Sequence, residues 1–410
     1  MPGRRLIVIG GVLFVVLAWL GSRQKMDRHG AAPVAASATA EEPPLPRLAA
    51  NDGDIALGNL DAQIDSLEKR QLDRSDRIAL AERLQTRGQL TGCAADYERA
   101  DALTAALLAD APKDPAAHRA RAAALATFHK FDDALEELAT AERLGARRDS
   151  LAPARAGIFE AQGRYDDAAA MIRRDESELT PIELASAGIL AGERGDMAAA
   201  TRMLDQARAK IVDVSPFPLA WMDMQEATLH DRLGERAQAR RHYQRAVALV
   251  PKFARAAAHL AGMSGPGAAI ALLTPIAARC DDPEVLGQLA DALRRAGRVS
   301  EAAERQAAAD ARYDALVARH PKAYADHAAL SLLTTGRDPP RALALAKINA
   351  ATRQTPEALD LLLSAALAAK DDSEACHAAT AAMALRYPTP DLRAVAAPFA
   401  KRCPANVLSP

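Results

Sequence analysis

Aromatic side chains are scarce in this sequence: they make up 4% of its 410 residues, although 50% of the residues are hydrophobic. Alanine supplies much of the apolar share. It is the best helix former, and its small side chain lets helices approach each other closely. A core of alanine and leucine therefore favours many stacked helices over a globular sheet protein.

A basic excess is also missing, because the formal net charge is −1 with 26% charged residues. Proteins that bind nucleic acid normally carry a strong positive excess, so this class is disfavoured. The four cysteines are too few for a small disulfide-built scaffold.

Catalytic and cofactor motifs are absent as well: the sequence has no Walker loop, HExxH, GxSxG or CxxC. We therefore predict a protein that is not an enzyme and holds no cofactor or metal. His320 and His327 have no third candidate ligand near them in sequence, so we interpret them as ordinary helix-end histidines.

The N-terminal residues 1–25 read as a targeting or anchoring segment. An apolar run covers residues 6–20, with Arg4 and Arg5 before it and Arg23 after it. The run is long for a signal peptide and short for a full membrane span. We favour an uncleaved signal anchor. The alternative is a signal peptide cleaved far downstream, within residues 36–40.

Residues 26–52 are rich in Ala and Pro and lack an apolar period, which predicts a disordered linker. Residues 53–80 are predicted to form N-terminal helices. The spacing of Leu57, Leu60, Ile64 and Leu67 within residues 54–72 is typical of a coiled coil, and would give weak self-association. Two heptads are too few for a stable coiled coil, so packing on the next helix pair is the favoured interpretation.

A repeat then begins, marked by an alanine that opens every second helix. The first three of these alanines are 34 residues apart, and a period near this length is the signature of a two-helix solenoid. The full series is Ala100, Ala134, Ala168, Ala200, Ala239, Ala302, Ala342 and Ala375. The gap between Ala239 and Ala302 leaves room for one shortened unit around residues 265–267.

The repeat resembles the tetratricopeptide repeat (TPR) family, which has a glycine before the second helix, small residues where helices cross and a proline after the helix. Gly234, Ala239, Tyr243, Ala246 and Pro251 give the fullest second helix, and residues 163–168 fit the turn closely. His129 and Lys370 depart from the pattern, because they stand where the family has glycine. The resemblance implies an all-α, right-handed superhelical solenoid of about eight or nine repeats over residues 81–389, with a capping helix and tail at 390–410.

The resemblance also implies partner binding on the concave face, which first helices line. By register the candidate partner-binding residues are Arg119, Glu160, Trp221, Met224, Asp291, Arg294, Asp326 and Asp360. Trp221 and Met224, with Met222 beside them, are suited to an adaptable anchor. Core packing between repeats is the favoured alternative for this group.

The cysteines support one hypothesis. The terminal helix is predicted to run back alongside the preceding one, which brings Cys403 next to Cys376 and allows a disulfide in an oxidising compartment. Two small buried hydrophobic residues are the alternative. Cys93 and Cys280 lie far apart in the repeat order and are predicted to stay unpaired.

The predicted function is a non-catalytic protein-interaction scaffold that binds an unidentified protein or peptide and no nucleic acid. We expect it at a bacterial inner membrane, with the repeats in the periplasm and the N-terminal segment as tether. The alternatives are a secreted or periplasmic soluble binding protein after leader cleavage, and an accessory domain of an envelope enzyme complex.

Overall fold

The computed structural model describes residues 45–46, 50–172, 175–212 and 214–403. Within these ranges it contains twenty α-helices, one short 3-10 turn and no strand, so the predicted all-α class is confirmed. None of the described helices is both long and apolar enough to cross a membrane. The predicted anchor at 1–25 and nearly all of the predicted linker at 26–52 lie outside the described residues.

The helices pack as nine consecutive pairs between two single helices, in agreement with the predicted eight or nine repeats. The single helices are α1 (Gly53–Glu68) and α20 (Pro390–Ala400). The first five pairs are α2 (Arg74–Thr91) with α3 (Ala94–Asp110), α4 (Pro115–Thr127) with α5 (Phe131–Arg143), α6 (Arg148–Ala161) with α7 (Tyr165–Met171), α8 (Pro181–Glu193) with α9 (Met197–Lys210), and α10 (Pro216–Arg232) with α11 (Arg236–Leu249). The last four are α12 (Ala254–Gly262) with α13 (Pro266–Ala277), α14 (Pro283–Arg295) with α15 (Val299–Arg319), α16 (Pro321–Thr334) with α17 (Pro339–Thr352), and α18 (Pro356–Ala369) with α19 (Asp372–Ala384).

Proline and short polar residues set where helices begin. Nine helices carry proline in their first turn, where its missing N–H leaves no intrahelical bond unmade. Residues such as Asp282 and Thr355 stand just before the helix and cap it, because their side chains accept hydrogen bonds from backbone N–H groups of its first turn. Most first helices of the pairs start in this way.

The turn inside eight of the nine pairs, all except α12–α13, uses a left-handed backbone position. In six pairs this residue is a glycine with positive φ: Gly92, Gly163, Gly195, Gly234, Gly297 and Gly336. His129 (φ 54°) and Lys370 (φ 57°) adopt the same conformation at the matching places. A side chain here costs roughly 1–2 kcal/mol. These two units therefore keep the repeat register despite their departure from the glycine pattern.

The alanines that mark the repeat are all buried contact points between helices. Each has at most 2% of its surface exposed: Ala100, Ala134, Ala168, Ala200, Ala239, Ala302, Ala342 and Ala375. The shortened unit is the pair α12–α13. At the other end, α20 packs on α19 through buried Leu392 and Ala396, in the position of the predicted cap.

Helix α1 does not offer its apolar stripe to a second chain. The four residues of the stripe are at most 6% exposed: Leu57, Leu60, Ile64 and Leu67. They pack in one cluster with residues of α2 and with Val250 and Phe253, so residues almost 200 positions later help to cover the stripe. The expected packing on the next pair is thus only part of the arrangement, and the stripe is not free for the predicted self-association.

The superhelix closes on itself, because its N-terminal helices contact its C-terminal half directly. The hydrogen bonds that join the two halves link residues 192 to 222 positions apart. One of them runs from the backbone N–H of Gln354 to the carbonyl of Gln162, at 3.0 Å. The first helix α10 is buried on all sides in this arrangement, at every position from Leu219 to Leu229.

Candidate functional site

A cavity of about 130 Å³ lies where the two halves of the superhelix meet. Its walls come from α2, α3, α4, α10, α12, α14, α15 and α16, and from the turns after α2 and α4. The polar residues that line it are Gln89, Tyr97, Thr127, His129, Arg255, Asp281, Asp282, Glu284, Tyr313, Tyr324 and His327. No short sequence motif predicts this group, since it combines residues from both halves of the chain.

Two carboxyl groups enter the cavity at the start of α14. Asp282 caps that helix and accepts from the backbone N–H groups of Glu284 at 2.9 Å and Val285 at 3.0 Å. Burial raises the pKa of Asp282 to about 6 and the pKa of Glu284 to about 7. Glu284 keeps 23% of its side chain accessible because it faces the cavity. Both carboxyl groups can therefore accept a hydrogen bond from a donor in the cavity.

The histidines of the cavity are neutral. Burial lowers the pKa of His129 to about 3, and also holds the pKa of His327 well below its ordinary value. Nδ1 of His129 lies 2.9 Å from the carbonyl oxygen of Lys322, so this nitrogen carries the proton and donates. His129 thus bonds the first half of the superhelix to the second.

Three phenol groups complete the wall. Burial raises the pKa of Tyr97, Tyr313 and Tyr324 above the ordinary range of tyrosine, so all three remain donors. Arg255 presents Nε and one terminal nitrogen that make no hydrogen bond in the described structure. The cavity therefore presents phenol and guanidinium donors together with two carboxyl groups, an arrangement that suits a small polar molecule.

A second cavity, of about 220 Å³, lies on the first helices of four N-terminal pairs. It is an open groove across α2, α4, α6 and α8, and we call it the inner groove. Its lining residues are Ile78, Ala81, Glu82, Gln85, Ala116, Arg119, Ala120, Ala123, Asp149, Ser150, Pro153, Ala154, Thr180 and Glu183. Arg119 is exposed in this groove, as expected of a residue on the concave face.

Glu160 lies at the edge of the same region but is buried, with 6% of its surface exposed. It lines a small pocket together with Met171 and Ile172, and its Oε1 has no hydrogen-bond partner. Burial raises its pKa to about 8, against a weaker opposite effect of Arg232. The carboxyl group is therefore protonated at neutral pH.

Trp221 and Met224 are core residues in the structure, with 3% and 5% of their surfaces exposed. Trp221 packs with Leu184 and Ile189, and Met224 packs in the cluster that covers α1. This burial fits the packing interpretation of the group. A role of either side chain in partner binding stays a prediction, and it would require the core to open.

The remaining predicted residues divide between the interior and the surface. Asp326 has no exposed surface and pairs with buried Arg353 at 3.2 Å. Asp291 and Arg294 form a surface pair on α14, where 48% of the Arg294 side chain is exposed. Asp360 is half-buried on α18. The structure does not gather the eight predicted residues into one surface.

All four cysteines lie in pairs. The Cα atoms of Cys376 and Cys403 are 5.5 Å apart, a normal separation for a disulfide, and the sulfur atoms are bonded. Cys93 and Cys280 are also bonded, with Cα atoms 5.6 Å apart and 187 residues between them. The expectation that the latter pair stays apart fails, because closure of the superhelix brings distant repeats together. This bond lies beside the central cavity, which Gly92 and Asp281 line.

No protein-family model and no curated protein sequence matches the chain. Among solved structures it is similar to yeast Tom70, with 12% identity over 86% of this chain and 97% of that chain and a TM-score of 0.34. It is also similar to the TPR domain of P58(IPK), with 17% identity over 81% of this chain and 99% of that chain and a TM-score of 0.21. The structure of Naa15/Naa10 bound to HypK-THB aligns at 16% identity over 84% of this chain and 63% of that chain, with a TM-score of 0.24. At these identities and TM-scores the similarities carry no argument about function, and the architecture rests on the helix pairing described above.

Proposed function

We propose that the protein is a non-catalytic scaffold that binds a segment of a partner protein in the inner groove. The observation that carries this proposal is the contrast between two parts of the concave face. Across α2, α4, α6 and α8 the face is an open groove, whereas the later first helix α10 is buried at every position from Leu219 to Leu229. The inner groove is the part where a partner reaches first helices without unfolding the protein.

The chemistry of the groove indicates what it accepts. Its floor consists largely of alanines, including Ala116 and Ala120, so a partner backbone can approach closely. Three carboxylates, Glu82, Asp149 and Glu183, line it with a single arginine, Arg119. Burial raises the pKa of Glu82 despite the opposing charge of Arg119, so this carboxyl group gains from a cation beside it. A helical or extended segment with small apolar side chains and a basic residue fits this surface.

The proposed setting is an oxidising compartment outside the cytoplasm, which two cysteine pairs at disulfide distance support. In this proposal the N-terminal segment tethers the repeats to a bacterial inner membrane, with the repeats in the periplasm. A soluble secreted or periplasmic form after leader cleavage is the second candidate. N-terminal sequencing of the mature protein separates them, since an intact N-terminus supports the tether and a start near residue 39 or 41 supports cleavage.

Site-specific photo-crosslinking in intact cells tests the groove. A photoreactive amino acid is placed at Gln85 in the groove, and in a matched chain at Ala106, an exposed position on the second helix α3. We expect a discrete adduct with one protein from position 85 and none of it from position 106. Equal labelling from both positions would show that the groove is not the binding surface.

A blocking variant provides the second half of the test. Ala116→Arg places a large cation on the groove floor, whereas Ala106→Arg places the same group on α3. Loss of the adduct in the first variant but not in the second supports the proposal. An adduct that persists in both, with unchanged yield, contradicts it.

A further inference from the structure

A cluster of metal-ligating side chains lies between α10 and α11, away from both cavities. Glu226, His230 and His242 each offer one ligand atom, and these atoms lie within 4.8 Å of one another. Glu226 and His230 are four residues apart on α10, so they project from one face of that helix. His242 reaches them from α11.

The orientation of His230 is fixed by a carboxylate outside the cluster. Its Nδ1 lies 2.6 Å from an oxygen of Glu235, which leaves Nε2 available to a ligand. The ring also stacks on His242, with ring centroids 5.4 Å apart. Histidines that bind metals in proteins commonly have their second nitrogen held by a carboxylate in this way.

The charge around the cluster favours a cation. Asp223 accepts from Arg208 at 2.9 Å and from Arg245 at 2.5 Å, and Glu226 accepts from Arg208 at 2.5 Å. With Glu235, and with Asp205, which accepts from Arg208 at 2.9 Å, four carboxylates face two guanidinium groups. These groups carry two net negative charges before the histidines are counted, so they do not repel a divalent cation. The carboxylate of Glu226 has two oxygens, so it can bind an ion while it accepts from Arg208.

We propose that Glu226, His230 and His242 form a binding site for a divalent cation of the zinc class. Two imidazole nitrogens and one carboxylate oxygen are a ligand set that zinc uses, with a fourth position for water. Calcium and magnesium prefer sites made of many oxygens, which this one is not. Zinc bonds of about 2.1 Å place tetrahedral ligand atoms about 3.4 Å apart. The present separations are at most 4.8 Å, so ion binding would draw the ligand atoms together by up to about 1.4 Å.

The position of the site indicates its role. It joins the two helices of one pair, and His230 is the most accessible ligand, with 13% of its side chain exposed against 2% for Glu226 and 8% for His242. An ion entering past His230 would pin α10 to α11. The site is independent of the inner groove, so it goes beyond the proposed scaffold function.

Metal binding is tested on the full chain, purified in mild detergent and stripped with EDTA. Calorimetric titration with Zn²⁺ gives the stoichiometry and affinity, and Co²⁺ reports geometry through its visible absorption. We expect one ion per chain and the intense cobalt bands of a tetrahedral site. His230→Ala and His242→Ala should each abolish them. Glu235→Gln, which changes the residue that orients His230, should weaken Zn²⁺ binding roughly 10- to 100-fold.

His377→Ala is the matched control, because His377 lies on α19 with 70% of its side chain exposed and only Glu374 beside it. It should bind Zn²⁺ as the unchanged protein does. The proposal is overturned if the full chain binds no ion, or if binding survives in both His230→Ala and His242→Ala. Circular dichroism shows whether each variant is folded. Should a buried-ligand variant unfold, the partly exposed Glu235→Gln decides: unchanged affinity in it overturns the proposal.

Discussion

The buried guanidinium of Arg353 donates from Nε to the backbone carbonyl of Ala161, 192 residues earlier in the chain, at 3.0 Å. Its side chain also pairs with Asp326, which has no exposed surface. One residue at the end of α17 thus fastens two turns of the superhelix and neutralises a carboxylate that has no access to water. This arrangement makes Arg353 a test of how far the closed superhelix contributes to stability.

We expect Arg353→Ala to lower the free energy of unfolding by about 3–5 kcal/mol, since it leaves Asp326 buried without its cation. Arg341→Ala on the same helix is the control. Arg341 is 43% exposed and pairs with Asp314, which is 55% exposed, so its loss should cost about 0–1 kcal/mol. Urea denaturation measures both variants. Equal costs would mean that the buried pair does not hold the two turns together.

The disulfides make a second prediction. Peptide mass spectrometry without reduction should find Cys93 joined to Cys280 and Cys376 joined to Cys403 in protein from an oxidising compartment. The first bond closes 187 residues and the second 27. Loop-closure entropy then predicts stabilisations of about 5 and about 3.5 kcal/mol. Replacing the first pair by serine should therefore lower the melting temperature more than replacing the second. Free thiols at all four positions would refute the pairing.

Glu160 makes stability depend on pH. Its pKa is about 8 in the folded protein against an ordinary 4.5, so folding holds a proton that the unfolded chain releases. The stabilisation is complete below pH 4.5 and is lost as the pH rises towards 8. Glu160→Gln keeps a neutral side chain at every pH. The melting temperature of this variant minus that of the unchanged protein should therefore rise between pH 4.5 and pH 8 and then level off.

The control for this pH dependence is Glu136→Gln on α5, where the side chain is exposed. Its melting temperature should follow that of the unchanged protein at every pH. If the melting-temperature difference between Glu160→Gln and the unchanged protein is also constant from pH 4 to pH 9, burial does not keep the carboxyl group of Glu160 protonated.

Helix crossings make a fourth prediction. Ala239 is fully buried on the face of α11 that packs against neighbouring helices. Ala239→Leu should therefore overpack this contact and lower the free energy of unfolding by about 1–3 kcal/mol. Ala237→Leu adds the same side chain at an exposed position of the same helix and should stay within about 0.5 kcal/mol. Thermal melts compare the two. An unchanged midpoint in Ala239→Leu would show that this alanine is not a crossing point.

The repeat architecture was predictable because its determinants are local. Buried alanines recur at the spacing of a helix pair, and proline stands in the first turn of nine helices. The turns at His129 and Lys370 are the instructive cases. Both positions lack glycine, yet the surrounding helices impose a left-handed backbone on them, so the periodicity of the neighbours outweighed the local preference.

The candidate sites were much less predictable. The eight residues assigned to the concave face assumed an open superhelix, but closure buries Glu160 and Asp326. The angle between successive pairs decides whether a superhelix closes, and small rotations add up over nine pairs, so no short stretch of sequence encodes it. Glu226 and His230 have a readable helical spacing, whereas His242 joins them only through the packing of the next helix.

Closure of the superhelix also has a consequence for the order in which the protein is made. The apolar stripe of α1, with Leu57 and Ile64, packs with Val250 and Phe253, which the ribosome adds to the chain almost 200 residues later. At typical rates of synthesis this delay is about 10–40 s. During that interval the N-terminal pairs carry an uncovered apolar surface and an unpaired Cys93. A nascent chain that stops before Val250 therefore keeps both exposed, and we expect it to be removed by proteases rather than to persist as a shorter solenoid.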